Sequence, residues 1–190
     1  MAHPTQMSAT DTALLVIDLQ DKLIPRISGA AVVVRNVAFL IDAAKLLQMP
    51  ILATEQYPKG LGPTVPEVLK RLPNRPPDKV AFSCCAVPSV VATLHREARP
   101  KVVLAGIEAH VCVLQTALDL LAQDFRVYIP VDAVGSRYDI DKDVAIKRLE
   151  QAGAILTTSE GVVFECTGSA SHPAFKAISA LIQQRMQENR

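Results

Sequence analysis

Short runs of unbroken apolar sequence alternate along this chain with longer segments whose apolar residues recur every three or four positions. Residues 13–17, 51–54, 102–107, 126–131 and 154–158 are runs of the first kind and read as strands. Between them, Val33, Val37, Leu40, Ile41, Ala44 and Leu47 form a helical stripe that stops at Pro50. Residues 87–98 read as a second helix, and Val113, Leu114, Ala117, Leu118 and Leu121 mark the buried face of a third. Val144, Ala145, Leu149 and Ala152 mark a fourth, and Phe175, Ile178, Ile182 and Met186 a last one. Strands that are apolar at every position are covered on both faces, and parallel strands need helical crossovers. The pattern therefore predicts an α/β fold: a doubly wound, mainly parallel sheet with helices on both faces. At 190 residues, with no internal repeat or linker, the chain reads as one domain over 1–190.

One stretch breaks the pattern. Residues 58–77 hold six of the thirteen prolines and two of the eight glycines around a short helical candidate at 64–72. An interruption of this length inside a compact domain is expected to serve function.

Charge excludes several function classes. Lys and Arg number 20 against 19 Asp and Glu, with no block of one sign, so neither nucleic acid nor a membrane surface is an expected partner. The expected partner is a small-molecule substrate. The first twenty residues lack a basic segment before an apolar one, and the four cysteines have neither CxxC spacing nor the density of a disulfide scaffold. A cytoplasmic location is expected. No GxGxxG or GxxxxGK[ST] loop follows a strand, and the four histidines form neither an HxxxH pair nor a DxH triplet. No metal and no cofactor is expected.

In open parallel sheets ligands bind beyond the carboxyl ends of the strands. Asp18 follows the first strand there, and Cys112 falls between the third strand and the next helix. A helix N-terminus can draw a cysteine pKa below its free value of ~8.5, which would make Cys112 a nucleophile at neutral pH. Buried cysteines are common, however, so position alone leaves a structural role open. His110, two residues upstream, is a candidate base or pocket wall. Lys79, in the segment 78–83, reads on its own as a surface lysine; Cys84, Cys85 and Cys166 read as structural.

The segments LLVIDLQ (14–20), DKVAFS (78–83) and LAGIEAHVCV (104–113) together resemble, in order and spacing, the signatures of isochorismatase-like cysteine hydrolases. TEQYPKGLG (54–62) resembles the subgroup of isochorismatase-domain-containing proteins. The resemblance spans nearly the whole chain and implies a catalytic Asp18, Lys79 and Cys112. It also implies a non-proline cis peptide at Ile107–Glu108 and an oxyanion pocket made by the N–H groups of Glu108 and Cys112. Gln20, Tyr57, Phe82, His110 and Tyr138 are then candidates for the substrate pocket. The chain departs from the nicotinamidase branch, which carries a metal-binding Asp-x-His after the second strand where this chain reads Glu55, Gln56, Tyr57. The implied activity is metal-independent hydrolysis of a carbon–nitrogen bond through a Cys112 thioester. Vinyl-ether hydrolysis and a non-catalytic scaffold are the alternatives. The high apolar fraction, with the habit of related hydrolases to associate, predicts a homo-oligomer.

Overall fold

The computed structural model describes residues 3–188; residues 1, 2, 189 and 190, which the single-domain reading includes, lie outside the described residues. The chain runs β1 (Thr12–Ile17), α1 (Ala30–Leu46), β2 (Ile51–Gln56), α2 (Pro58–Leu61), α3 (Pro66–Leu69), β3 (Asp78–Lys79) and α4 (Pro88–Arg96). It continues with β4 (Lys101–Ile107), α5 (Leu114–Leu121), β5 (Arg126–Pro130), β6 (Val134–Gly135), α6 (Asp139–Gln151), β7 (Ile155–Thr157), α7 (Ser159–Thr167) and α8 (Phe175–Glu188). The strands form one parallel sheet in the order β3-β2-β1-β4-β5-β7, with β6 paired to β4 beyond the end of β5.

β1 shows why an unbroken apolar run is needed at the centre. Leu14 and Val16 point into a core made with α1, α7 and α8, whereas Ala13, Leu15 and Ile17 point into a second core made with α4, α5 and α6. All six residues of the strand are buried. Successive side chains of a strand face opposite ways, so a polar residue at any of these positions would lie in one core or the other.

The sheet has seven strands where the apolar runs indicate five. β3 and β6 are two residues each and are held by register with a longer neighbour: Gln56 pairs with Lys79, and Gly106 with Val134. The helical candidate at 64–72 shortens to α3, and α7 is an additional helix. Thr158 begins α7 by accepting a hydrogen bond from the Gly161 N–H through its side chain.

The order of winding fixes the site. From β1 the chain moves outward to β2 and β3, then returns to lay β4 against the other side of β1. The carboxyl ends of β1 and β4 are thus neighbours at the point where the winding reverses, where a crevice opens in folds of this kind. Ile17 pairs with Gly106 there. A Cβ at Gly106, whose φ is +130°, would stand 2.1 Å from the Ile17 carbonyl oxygen, so this close approach admits only glycine.

Candidate active site

Asp18 is the residue at which β1 stops. Its φ of 53° lies in the left-handed region, which aspartate tolerates better than most residues at a cost of ~1 kcal/mol. The turn carries the carboxylate sideways toward β2 and β3. Oδ1 accepts a hydrogen bond from Thr54 Oγ1 at 2.8 Å, and Oδ2 faces Lys79 Nζ at 2.7 Å. Both charged side chains are almost fully enclosed, 0% exposed for Asp18 and 1% for Lys79. A buried ion pair persists only when its remaining donors and acceptors are also satisfied.

Lys79 meets that condition with backbone and amide oxygens. Its ammonium donates to Gln56 Oε1 at 2.8 Å and to the Phe82 carbonyl at 2.9 Å, with the Ala81 carbonyl at 3.4 Å. An ammonium has three N–H donors, and Asp18, Gln56 and Phe82 take all three. Lys79 is therefore a fixed positive charge with no donor left for a ligand. The reading of Lys79 as a surface lysine is corrected: pairing of β3 along β2 draws it inward, and Tyr57 N donates to its carbonyl at 2.9 Å.

β4 delivers the thiol to the same place. After Ile107 the chain passes through a cis peptide, Ile107–Glu108, and enters a wide π-helical turn over Ala109–Val113, in which Val113 N donates to the Glu108 carbonyl at 3.1 Å. Cys112 lies within this turn, 6% exposed, and α5 begins two residues later. Such turns are concentrated at functional sites. Burial pushes the Cys112 thiol well above the ordinary range. The Asp18 charge raises it further, the Lys79 charge lowers it, and a hydrogen bond with Asp18 again favours the thiol. Against the expectation of a value drawn down by a helix N-terminus, desolvation and the Asp18 charge both favour the thiol over the thiolate.

A model described as the isochorismatase domain matches residues 12–161. Human isochorismatase domain-containing protein 2 is 43% identical over 176 residues, covering 91% of this chain and 83% of its own. The chain belongs to the isochorismatase family. Two solved structures share its fold. A Caenorhabditis elegans protein described as MAR1 ribonuclease superposes with a TM-score of 0.88 at 44% identity, covering 94% of this chain and 93% of its own. The Escherichia coli YcaC gene product, described as an octameric hydrolase of unknown specificity, superposes with a TM-score of 0.86 over 100% of this chain and 98% of its own. At 23% identity the second likeness concerns the fold alone.

The remaining candidate residues of this isochorismatase-family chain divide sharply. Gln20 is engaged with main-chain groups. It is fully buried, its Nε2 donates to the Gln56 and Gly62 carbonyls, and its Oε1 accepts from Gln56 N at 2.7 Å. It braces the ends of β1 and β2 against each other. His110 is also turned to another task, with Nδ1 at 3.0 Å from Ser136 Oγ and Nε2 at 3.7 Å from Asp141. Glu108 Oε2 accepts from Arg137 N and Nε, which ties the cis-peptide segment to the stretch before α6. Tyr57, Phe82 and Tyr138 are 55%, 50% and 65% exposed. Of these three, Phe82 is bound most directly to the centre, through its carbonyl contact with Lys79.

Two residues central to this geometry, Thr54 and Gln56, are alternate positions of β2; in sequence they belong to the segment 54–62 that carries part of the family resemblance, and nothing there singles either one out. Cys84, which reads as structural in sequence, has its Sγ 3.3 Å from Thr54 Oγ1, and burial, then the Asp18 charge, push it up to about 11. Among the described residues no group of three or more His, Cys, Asp or Glu is placed to hold a metal ion, and no helix is long and apolar enough to cross a membrane.

Proposed function

We propose that this protein is a hydrolase that cleaves a carbon–nitrogen bond of a small amide, with Cys112 as nucleophile, Asp18 as proton carrier and Lys79 as a fixed charge. The observation that carries this reading is the enclosed Asp18–Lys79 pair bearing directly on the Cys112 thiol. A carboxylate beside a thiol held in its neutral form is suited to accept the proton as sulfur attacks.

In the first half-reaction the Cys112 S–H proton passes to Asp18 while sulfur bonds to the carbonyl carbon. The Glu108 and Cys112 N–H groups receive the oxyanion, a contact worth ~2.7 to 4 kcal/mol per donor at the transition state. Collapse breaks the carbon–nitrogen bond, Asp18 returns the proton to the leaving amine, and a thioester remains. In the second half-reaction Asp18 takes a proton from water, the hydroxyl adds to the thioester, the carbon–sulfur bond breaks, and Asp18 returns the proton to sulfur. The products are the carboxylic acid and the restored Cys112 thiol. Lys79, with every donor engaged, supports charge on Asp18 and sulfur without touching the substrate. Tyr57, Phe82 and Tyr138 supply the apolar rim that a small ligand needs.

Four free thiols suit a reducing compartment, and we place the enzyme in the cytoplasm as a homo-oligomer over the single domain 1–190. The test is a screen of small amides by intact-protein mass spectrometry. A productive amide leaves its acyl mass on Cys112, and hydroxylamine removes it. Vinyl-ether hydrolysis would proceed with no adduct. The Caenorhabditis relative's description supplies a further arm: RNA offers phosphorus rather than a carbonyl, and a net charge of +1 gives little overall attraction to a polyanion. RNA cleavage that survives repurification and is lost on Cys112→Ala would displace the amide reading.

A further inference from the structure

The Asp18–Lys79 pair is held from outside by an arrangement that the catalytic reading leaves unassigned. Gln56 Oε1 accepts from Lys79 Nζ at 2.8 Å, while Gln56 Nε2 donates to the Val80 carbonyl at 2.7 Å. The amide can face only this way. Reversed, its NH₂ would confront the ammonium and its oxygen would confront a carbonyl. Gln20 fixes the same residue from behind by a two-point pair with its main chain, Nε2 to Gln56 O at 2.9 Å and Gln56 N to Oε1 at 2.7 Å. Gln20 Nε2 also reaches the Gly62 carbonyl at 2.7 Å, which joins the loop after β2 to the brace. Gln20 is fully buried and Gln56 is 9% exposed, so neither amide has water as a substitute partner of equal access.

We infer that Gln56, braced by Gln20, is a positioning residue that holds the Lys79 ammonium at Asp18 and so sets how readily Cys112 gives up its proton. The inference rests on the triad reading. Its physical basis is that among the described residues Lys79 has one anionic partner, Asp18; the other two strong acceptors, Gln56 and Phe82, are neutral dipoles that fix where the charge sits without cancelling it. A carboxylate in place of Gln56 would neutralise the cation and add a like charge near sulfur, whereas an apolar side chain would release it. The titratable groups around this point are Asp18 from the end of β1, Lys79 from β3, Cys84 from the turn before α4, and Cys112 from the turn before α5. Loss of the Gln56 acceptor lets the ammonium drift from Asp18 and weakens the influence that favours the Cys112 thiolate.

The experiment compares the pH dependence of Cys112 alkylation by iodoacetamide, resolved by peptide mass spectrometry, in wild type, Lys79→Met and Gln56→Met. Lys79→Met should move the Cys112 profile to higher pH, and Gln56→Met should move it the same way by about half a pH unit or more. Turnover of an amide found by the screen should fall about tenfold in Gln56→Met through kcat, with KM nearly unchanged. A packing role alone would lower the melting temperature and leave the alkylation profile in place. If Gln56→Met fails to fold, Gln56→Asn, which withdraws the same amide by one methylene, carries the test with the same expected direction. A shift in Lys79→Met with none in a folded Gln56 variant overturns the inference and leaves the triad standing. No shift in any variant removes the triad reading and this inference with it.

Discussion

The same three residue types meet twice in this molecule, at opposite edges of the sheet. At the carboxyl edge Lys79 and Asp18 pair at 2.7 Å beside Cys112; at the amino edge Lys101 and Asp11 pair at 2.7 Å near Cys166. The surroundings differ in two respects. Asp11 is 33% exposed on its side chain and Asp18 not at all. At the amino edge the second partner of Lys101 is the Gln6 carbonyl of the N-terminal segment, and Thr12 is the hydrogen-bond partner of Cys166. Tyr128 and Arg126 bind the same segment through the carbonyls of Thr5 and Pro4. The amino-edge group fastens a strap. At the carboxyl edge the carboxylate itself meets the thiol, at the place where the winding order leaves a crevice. Composition therefore does not distinguish the proposed catalytic group; the partner of the sulfur and the edge of the sheet do.

The contrast is broken most visibly by removing each carboxylate. Asp18→Asn should lower amide turnover by ~100-fold or more, the size expected for loss of a general acid and base. Asp11→Asn should leave turnover within about twofold. Equal losses in steady-state assays of the two variants would erase the distinction.

Stability separates the two lysines next. Removing one partner of an enclosed pair strands the other charge, at a cost of ~3 to 5 kcal/mol. Lys79→Met should incur a loss of that order in urea unfolding. Lys101→Met, whose Asp11 keeps access to water, should lose about 1 kcal/mol. The reverse ranking would show that the carboxyl-edge pair is less enclosed than described.

A smaller effect sharpens the account of the strap. Burial acts to raise the Asp11 carboxyl, but hydrogen bonds from Lys101, Ser8 and Thr12 outweigh it and leave Asp11 below its usual 3.8. A lowered folded value means that the stabilisation is fully present above 3.8 and lost as pH falls through the folded value. The stability difference between wild type and Asp11→Asn should hold constant down to about pH 4 and shrink below it. Unfolding midpoints measured from pH 7 to pH 2 test the sign. The least effect of all is expected from chelation: prolonged dialysis against EDTA should leave turnover unchanged, and a loss restored by zinc would require a metal in the reaction.

Much of this arrangement could be read from residues alone, and what could not has a common cause. The central strands announce themselves because burial on both faces keeps residues 13–17 of β1 apolar without a break. Asp18 and Cys112 stand where those runs end, and three spaced segments make the family visible. β3 and β6 could not be read, since two residues hold no periodicity and their pairing is with residues more than twenty positions away. Lys79 looked exposed for the same reason: its burial comes from β2, not from its neighbours in sequence. Gln20 looked like a ligand contact because a glutamine beyond a strand end can face inward or outward, and only the position of Gln56 decides. α7 does carry a sequence signal, a threonine followed two residues later by a glutamate, which suits a helix start. The direction of the Cys112 shift depends on the enclosure of the thiol and its contact with Asp18, both of which exist only after folding.

The central claim is that Asp18 and Lys79 act on the Cys112 thiol with opposite sign, and the most direct measurement is the rate of Cys112 alkylation against pH in wild type, Lys79→Met and Asp18→Asn. Cys85, partly exposed and in the same protein, serves as the internal control for reagent and pH. Lys79→Met should displace the Cys112 profile to higher pH and slow labelling at neutral pH, because the cation that lowers the thiol is gone. Asp18→Asn should displace it to lower pH and keep labelling at least as fast as wild type, even as turnover collapses. Displacement of both profiles in one direction, or of neither, would contradict the account.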